Sequence, residues 1–207
     1  MVARSSFVAV NAFEDIPVKA LYTTRLEGKS EGDYSSFNLG LHVEDDPQAV
    51  LQNRLALEKH LSKKVVFMNQ THSDKVILVD KNDVCECEKM LEGKTPVSLG
   101  VEADGIVTCD STVALAVLTA DCLPLLMTTK EGNVIAAVHC GWKGVYSNII
   151  KNAVALIREF SKSEIYAYLG PCIGPESFEV GSELLDKFQS ILPEASRAFT
   201  KKGNGKY

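Results

Sequence analysis

The chain has 207 residues, 45% hydrophobic and 24% charged, with a formal net charge of −5. That is enough for one substantial domain with a sizeable core, or two small ones. Acidity with scattered lysines excludes the basic footprint of non-specific nucleic-acid binding, and no apolar run reaches the ~18 residues of a membrane span. The opening MVARSSFVAVNAF carries one arginine and an apolar patch broken by Asn11, and does not read as a signal peptide. Six cysteines in such a chain read as cytosolic thiols rather than a disulfide framework.

Taken in order, residues 17–24 (PVKALYTT) predict a strand, and the polar, Gly/Ser-rich residues 28–38 a loop. Asp46 before Pro47 predicts a capped helix start, with Val50, Leu51, Leu55, Leu57 and Leu61 at helical spacing to about His60. Residues 64–68 and 75–79 predict short strands, joined by the polar connection Asn69-Gln70-Thr71-His72-Ser73-Asp74. Residues 80–99 predict an irregular excursion, in which Cys85-Glu86-Cys87 is too closely spaced for an unstrained disulfide and reads as exposed and incidental. Residues 103–108 predict a further strand. Helical spacing from Val145 to Phe160, a strand over 164–169, a rigid Gly/Pro loop over 170–175, a short strand over 177–180 and a helix over 182–192 complete the order.

The stretch from Val113 to Val145 carries the chemistry. Two apolar runs, Val113 to Thr119 and Val134 to Val138, have the length and β-branched content of buried strands, with Glu131-Gly132-Asn133 between them suited to a turn. The first leads into Asp121-Cys122 and the second into His139. Paired, the runs would bring Cys122 and His139 together at one edge of a sheet. An apolar-flanked cysteine is ordinarily a small core residue, His139 can equally be a satisfied core histidine, and His72 a surface-loop one. Together the two histidines and the cysteine form a zinc-compatible set, since a catalytic zinc takes three protein ligands and leaves a fourth position open. The wide spacing fits a site assembled by the fold. Gly141-Trp142-Lys143-Gly144 opens a helix, where free N–H groups and a lysine suit an anion; a tight strand-to-helix turn is the simpler reading. His42 and His60 look less relevant.

Six motifs then carry a resemblance. Asn38-Leu39-Gly40, Gln70-Thr71-His72, Glu102-Ala103-Asp104-Gly105-Ile106-Val107-Thr108, Thr119-Ala120-Asp121-Cys122-Leu123-Pro124, His139-Cys140-Gly141-Trp142-Lys143-Gly144 and Gly170-Pro171-Cys172-Ile173-Gly174 resemble, in order, the bacterial laccase-domain family. Its members are named polyphenol oxidase, purine nucleoside phosphorylase or peptidoglycan editing factor. The resemblance implies one α/β domain over residues 1–207, a layered sandwich with two mixed sheets inside and helices outside, similar to the Cys–His deamidase toxins. It implies a metal, zinc or alternatively copper, on His72, Cys122 and His139. Cys140 and Lys143 depart from the family's usual Ala and Arg, and relatives continue past Tyr207 with a further strand and helix.

The same resemblance implies a cytoplasmic zinc enzyme acting on small molecules: phosphorolysis of adenosine, inosine or methylthioadenosine to free base and ribose 1-phosphate, and deamination of adenosine at the same site. Catalysis would rest on Cys122, His139 and His72, with Asp121 the nearest carboxylate for proton transfer. Lys143 and the helix start would hold phosphate, and Asn38 and Gln70 would contact ribose or base. Neither nucleic acid nor membrane is an expected partner, and the expected state is a monomer or weak oligomer. Three alternatives stand beside this. Cys122 as nucleophile with His139 as base would make an amidase editing peptidoglycan precursors. One Cys and two His are also blue-copper ligands, giving a polyphenol oxidase, although four histidines in the whole chain are too few for a trinuclear cluster as well. The last is a non-enzymatic metal-binding module, which would normally need a fourth protein ligand.

Overall fold

The computed structural model describes residues 5–207; the first four residues of the opening stretch lie outside the described residues. The chain divides into two compact units, the first ending at Gly170 and the second running from Pro171 to Tyr207. No described helix is long and apolar enough to cross a membrane.

The first unit is mixed α/β. Its strands are β1 (Phe7–Ala9), β2 (Leu21–Thr23), β3 (Lys64–Val66), β4 (Met68–Asn69), β5 (Val76–Leu78), β6 (Val101–Glu102), β7 (Gly105–Thr108), β8 (Val113–Leu115), β9 (Leu123–Thr129), β10 (Ile135–Cys140) and β11 (Ile165–Leu169). Its helices are α1 (Pro47–Leu61), α2 (Cys87–Leu91), α3 (Trp142–Tyr146) and α4 (Ile149–Phe160). Five strands form the main sheet in the order β11-β9-β10-β7-β5, antiparallel throughout except for the parallel pair β5–β7. Where two sheets are expected, the remaining strands make three two-stranded ribbons: β1–β2 antiparallel, β3–β8 and β4–β6 parallel.

Side-chain alternation along β10 sorts the core into two layers. Ala136, Val138 and Cys140 join Val107, Leu125 and Met127 against Ile149, Ala153 and Ile157 of α4. Ala137 faces the other way, into a layer with Val66, Met68, Val79, Ile106 and Val113. His139 shares the face of Ala137 by the same alternation, and so turns away from α4. A third cluster lies under α1, where Leu51 and Leu57 meet Phe37, Leu39, Val65, Phe67, Cys85 and Cys87.

Helix α1 starts where its cap chemistry predicts. The Asp46 carboxylate accepts from the N–H groups of Gln48 (3.0 Å) and Ala49 (3.3 Å), and Pro47 takes the first helical position. Buried Asn53 on this helix fastens the 28–38 loop: its Oδ1 accepts from the Lys29 N–H, and its Nδ2 donates to Ser30 Oγ and to the carbonyls of Ser36 and Asn38.

Several sequence expectations are corrected. The Val113–Thr119 run is a strand only to Leu115, and it pairs with β3 rather than β10. The partner of β10 is β9, which begins after Cys122 and passes straight through Pro124. Proline is tolerated there because the His139 N–H is directed to the Asp104 carbonyl (2.7 Å), which makes 124 and 139 a non-hydrogen-bonded pair, so the missing Pro124 N–H takes no bond from β10; on its other edge Pro124 lies beyond the last β11 pair, where its carbonyl accepts from the Gly170 N–H (2.9 Å). The helix expected from Val145 to Phe160 is broken at Asn148, whose φ of 72° ends α3 before α4 begins. Cys85 and Cys87 are buried, 5% and 0% exposed, rather than on the surface.

The second unit contains α5 (Ser182–Ile191), followed by a 3-10 turn over Pro193–Ala198. Val180 and Tyr207 exchange two backbone hydrogen bonds of 3.0 Å. The strand expected over 177–180 does not form; beyond the Val180 pair, only isolated bridges at Gly181 and Gly203 to Lys206 occur there.

Candidate metal centre

The site is built at one end of β9 and β10. Their antiparallel register sets Leu123 against Cys140 and Pro124 against His139, so Cys122, one residue before β9, arrives beside the end of β10. His72 comes from the connection between β4 and β5. One donor atom from each of His72, Cys122 and His139 lies within 4.8 Å of the others, and the two imidazoles meet edge to face with centroids 4.7 Å apart.

Asp104, just before β7, is the node of this arrangement and is fully buried. Its Oδ1 lies 2.8 Å from His139 Nδ1 and accepts from the His72 N–H at 2.9 Å. Its Oδ2 accepts from the N–H groups of Thr71 (3.0 Å) and Ser73 (2.8 Å) and from both their hydroxyls. Three successive amides thus converge on one carboxylate, an anion-binding nest made inside the chain. The nest requires a left-handed residue, and His72 supplies it with φ of 60°. Because Asp104 engages Nδ1 of His139, Nε2 is the nitrogen left for the site, the arrangement that orients metal-ligating histidines. Burial alone would raise the Asp104 carboxyl; hydrogen bonds from His139, Ser73 and Thr71 outweigh it and hold it at about 2.

Gly141 keeps the centre open. A Cβ there would stand 3.0 Å from His72 Cδ2 and 3.4 Å from both Cys122 Sγ and His139 Cε1. The space among the three donors is therefore the space a side chain at position 141 would take. Gly144 does a related job one turn on, where a Cβ would come within 2.8 Å of the Ser73 carbonyl, so α3 can lie directly on the His72 loop.

Charges around the centre favour a ligand set over a free nucleophile. His72 is exposed as a residue, but partial desolvation of its ring lowers its pKa, helped by His139, Lys143 and His42 and opposed by Asp104, which favours the neutral imidazole that a metal needs. Burial and the carboxylates of Asp121 and Asp104 raise the Cys122 thiol, the reverse of the depression a free thiolate nucleophile needs. A bound cation would invert that cost. Cys140 is pushed up to about 11 by burial and by Cys122, and stays a neutral thiol. Two imidazoles and one thiol around an open space are a donor set that can hold a metal ion.

The other predicted residues lie as follows. Lys143 is exposed on α3, its Nζ 5.8 Å from the Trp142 ring centroid, and its charge acts on His72. Asp121 is exposed beside Cys122. Asn38 uses its side chain within its own loop, accepting from the Gly40 N–H (2.9 Å) and donating to Asp45 Oδ2 (2.8 Å). Gln70 pairs its amide with both backbone groups of Leu118 at 2.8 Å. Of the two histidines set aside, His60 stacks on Phe7 at 3.9 Å, whereas His42 is near enough to influence His72. Asp104 was missed as a working residue. Its signals in the sequence are a carboxylate at the mouth of the buried run Gly105–Thr108 and its place in the motif Glu102–Thr108.

Comparison with known proteins gives the family. Residues 19–207 match the family described as multi-copper polyphenol oxidoreductase laccase. Over 196 residues the chain is 37% identical to the purine nucleoside phosphorylase of Haemophilus influenzae, covering 92% of this chain and 73% of that protein. It is 39% identical over 193 residues to a Corynebacterium glutamicum protein of the same name, covering 90% and 73%. A Neisseria meningitidis crystal structure superposes with a TM-score of 0.81 at 37% identity, covering 98% of this chain and 77% of that one. The ordered motifs, the fold and the family match lead to one statement: this chain belongs to the multi-copper polyphenol oxidoreductase laccase family.

Proposed function

We propose that this protein is a zinc-dependent purine nucleoside phosphorylase, acting on adenosine, inosine or methylthioadenosine, with adenosine deaminase activity at the same site. The observation that carries the reading is the convergence of His72, Cys122 and His139 on the space beside Gly141, in a chain whose relatives bear the phosphorylase name. A zinc ion held by these three residues would supply Lewis acidity to the reacting purine. The chain's own residues do the rest. Asp104 holds the His139 ring in one orientation and one tautomer. Lys143 brings positive charge to the His72 side of the site, where phosphate would enter. Asp121 offers an exposed carboxylate beside Cys122 for proton transfer. Asn38 and Gln70 shape the ribose or base side through the loops they brace.

The protein is proposed to work in the cytoplasm as a monomer or weak oligomer. A Cys–His amidase, with the catalytic logic of the deamidase toxins, is the second reading; the juxtaposition of Cys122 and His139 favours it and the raised Cys122 thiol weighs against it. Copper oxidation is limited by the supply of four histidines.

The test uses pure protein of measured metal content, incubated with adenosine and inosine with and without phosphate, and separated products. Free base with ribose 1-phosphate only when phosphate is present, and inosine from adenosine without it, is the expected result. Turnover unchanged after chelation, or no base released in phosphate, would overturn the assignment.

A further inference from the structure

Outside the metal centre, the most unusual buried group is Arg54 on α1. It is 1% exposed, and a guanidinium does not give up its proton in a protein. A buried cation of this kind needs an opposing charge. Arg54 makes no ion pair with a carboxylate among the described residues. Glu58, one turn along the same helix, is turned to Lys64 Nζ (2.9 Å) and the Val65 N–H (3.3 Å). Arg54 instead lies over the Phe67 ring at 3.9 Å, donates from Nε to the Leu39 carbonyl (2.8 Å), and aims Nη1 at Cys85 Sγ (3.6 Å). Cys85 Sγ in turn lies 2.9 Å from Cys87 Sγ.

We propose that Cys85 is a thiolate paired with Arg54, and that Cys85, 5% exposed, and Cys87, fully buried, form a reversible dithiol–disulfide site that small hydroperoxides oxidise. The geometry assigns the roles asymmetrically. Cys85 has the cation beside it and Cys87 does not, so with Cys85 as the thiolate the Cys87 thiol is the donor between the two sulfurs. That donation, against the cost of burial and with help from Arg54, brings Cys85 down to about 7. Cys87, donating to Cys85 and itself buried, is held protonated. Selective oxidation falls on a low-pKa thiol that oxidant can reach and that has a resolving cysteine beside it; of this pair Cys85 is the less buried, 5% against 0% exposed, with Cys87 behind it.

The step balances as follows. The Cys85 thiolate attacks one oxygen of hydrogen peroxide, forming an S–O bond as the O–O bond breaks; the departing hydroxide takes a proton and leaves as water. The Cys87 sulfur, giving up its proton, then attacks Cys85 sulfur. The S–S bond forms, the S–O bond breaks, and a second water leaves. The two cysteines lose two electrons and the peroxide gains them. One intervening residue makes the resulting ring strained, which favours easy reduction by thiols. Oxidation would also remove the charge that balances Arg54, and with it part of the grip of α1 on Leu39.

The test treats the full-length protein with one equivalent of hydrogen peroxide, blocks remaining thiols with N-ethylmaleimide in denaturant, and digests with trypsin. Cleavage after Lys81 and Lys89 places both cysteines in the peptide of residues 82–89. That peptide is expected to lose two hydrogens and all N-ethylmaleimide, and to regain both sites after dithiothreitol. In Cys87→Ser, dimedone should trap a sulfenic acid on Cys85; in Cys85→Ser it should trap none on Cys87. A peptide that still takes two N-ethylmaleimide groups while Cys109 or Cys172 is oxidised overturns the proposal. So does trapping at Cys87 in preference to Cys85, or over-oxidation of Cys85 with no bond to Cys87.

Discussion

Asp104 and His139 face each other at 2.8 Å with both side chains buried, and the same carboxylate gathers the amides of residues 71–73. One side chain therefore orients one candidate metal donor, on β10, and fixes the loop that carries a second. Asp104→Asn keeps the volume but turns an NH2 group toward N–H donors, leaving some of them unsatisfied. Metal affinity, measured by competition with a chromophoric chelator, should fall about 10–100-fold, and the melting temperature should fall with it. An unchanged affinity would mean that the His139 ring is held by packing alone.

Acid stability should report the same carboxylate. Asp104 is held at about 2 against an ordinary 3.8, so the unfolded chain binds its proton first as pH falls. Its contribution is complete above about pH 4 and is lost as pH falls toward 2. The difference corresponds to about 2 kcal/mol. Urea unfolding of the metal-free protein between pH 5 and 2 should show this loss, and Asp104→Asn should flatten it.

Gly141→Ala separates the centre from the fold. Gly141 has φ of −66° and ψ of 152°, which alanine adopts without strain, so the backbone cost should stay within about 1 kcal/mol. Its methyl group, however, would enter the space among the three donors. Thermal melting close to that of the parent, with metal binding and purine turnover reduced at least ~100-fold, is the expected pattern. Full metal occupancy in this variant would show that the ion sits elsewhere.

Lys143 is exposed, and Lys143→Ala should leave stability within about 0.5 kcal/mol. The apparent KM for phosphate should rise severalfold while that for the nucleoside changes little. Equal effects on both would assign Lys143 a packing role against Trp142.

Helix α1 was legible because capping is local: Asp46, Pro47 and the apolar spacing lie within one stretch of chain. The position of β10 was legible for the same reason. Strand β9 was obscured by Pro124, whose compatibility depends on where a residue on another strand directs its N–H. The Val113–Thr119 run misled in the opposite sense. Ala116, Val117 and Leu118 are apolar because they pack into two core clusters, while the Leu118 backbone is satisfied by the Gln70 side chain instead of a neighbouring strand. The three donors could be named from sequence, but their binder could not. Nothing near Asp104 in the chain announces partners 31 to 35 residues away.

The separation of the ligands along the chain orders events during synthesis. His72, Cys122 and His139 come from three distant points, and the last of them is useless until β10 lies between β9 and β7. A zinc finger, whose ligands are close neighbours, can use its ion as a folding nucleus. Here a ribosome must release residue 139 and the sheet must close before any complete binding pocket exists. Until then the chain offers no complete three-donor centre, so an ion can be held there only by the finished scaffold.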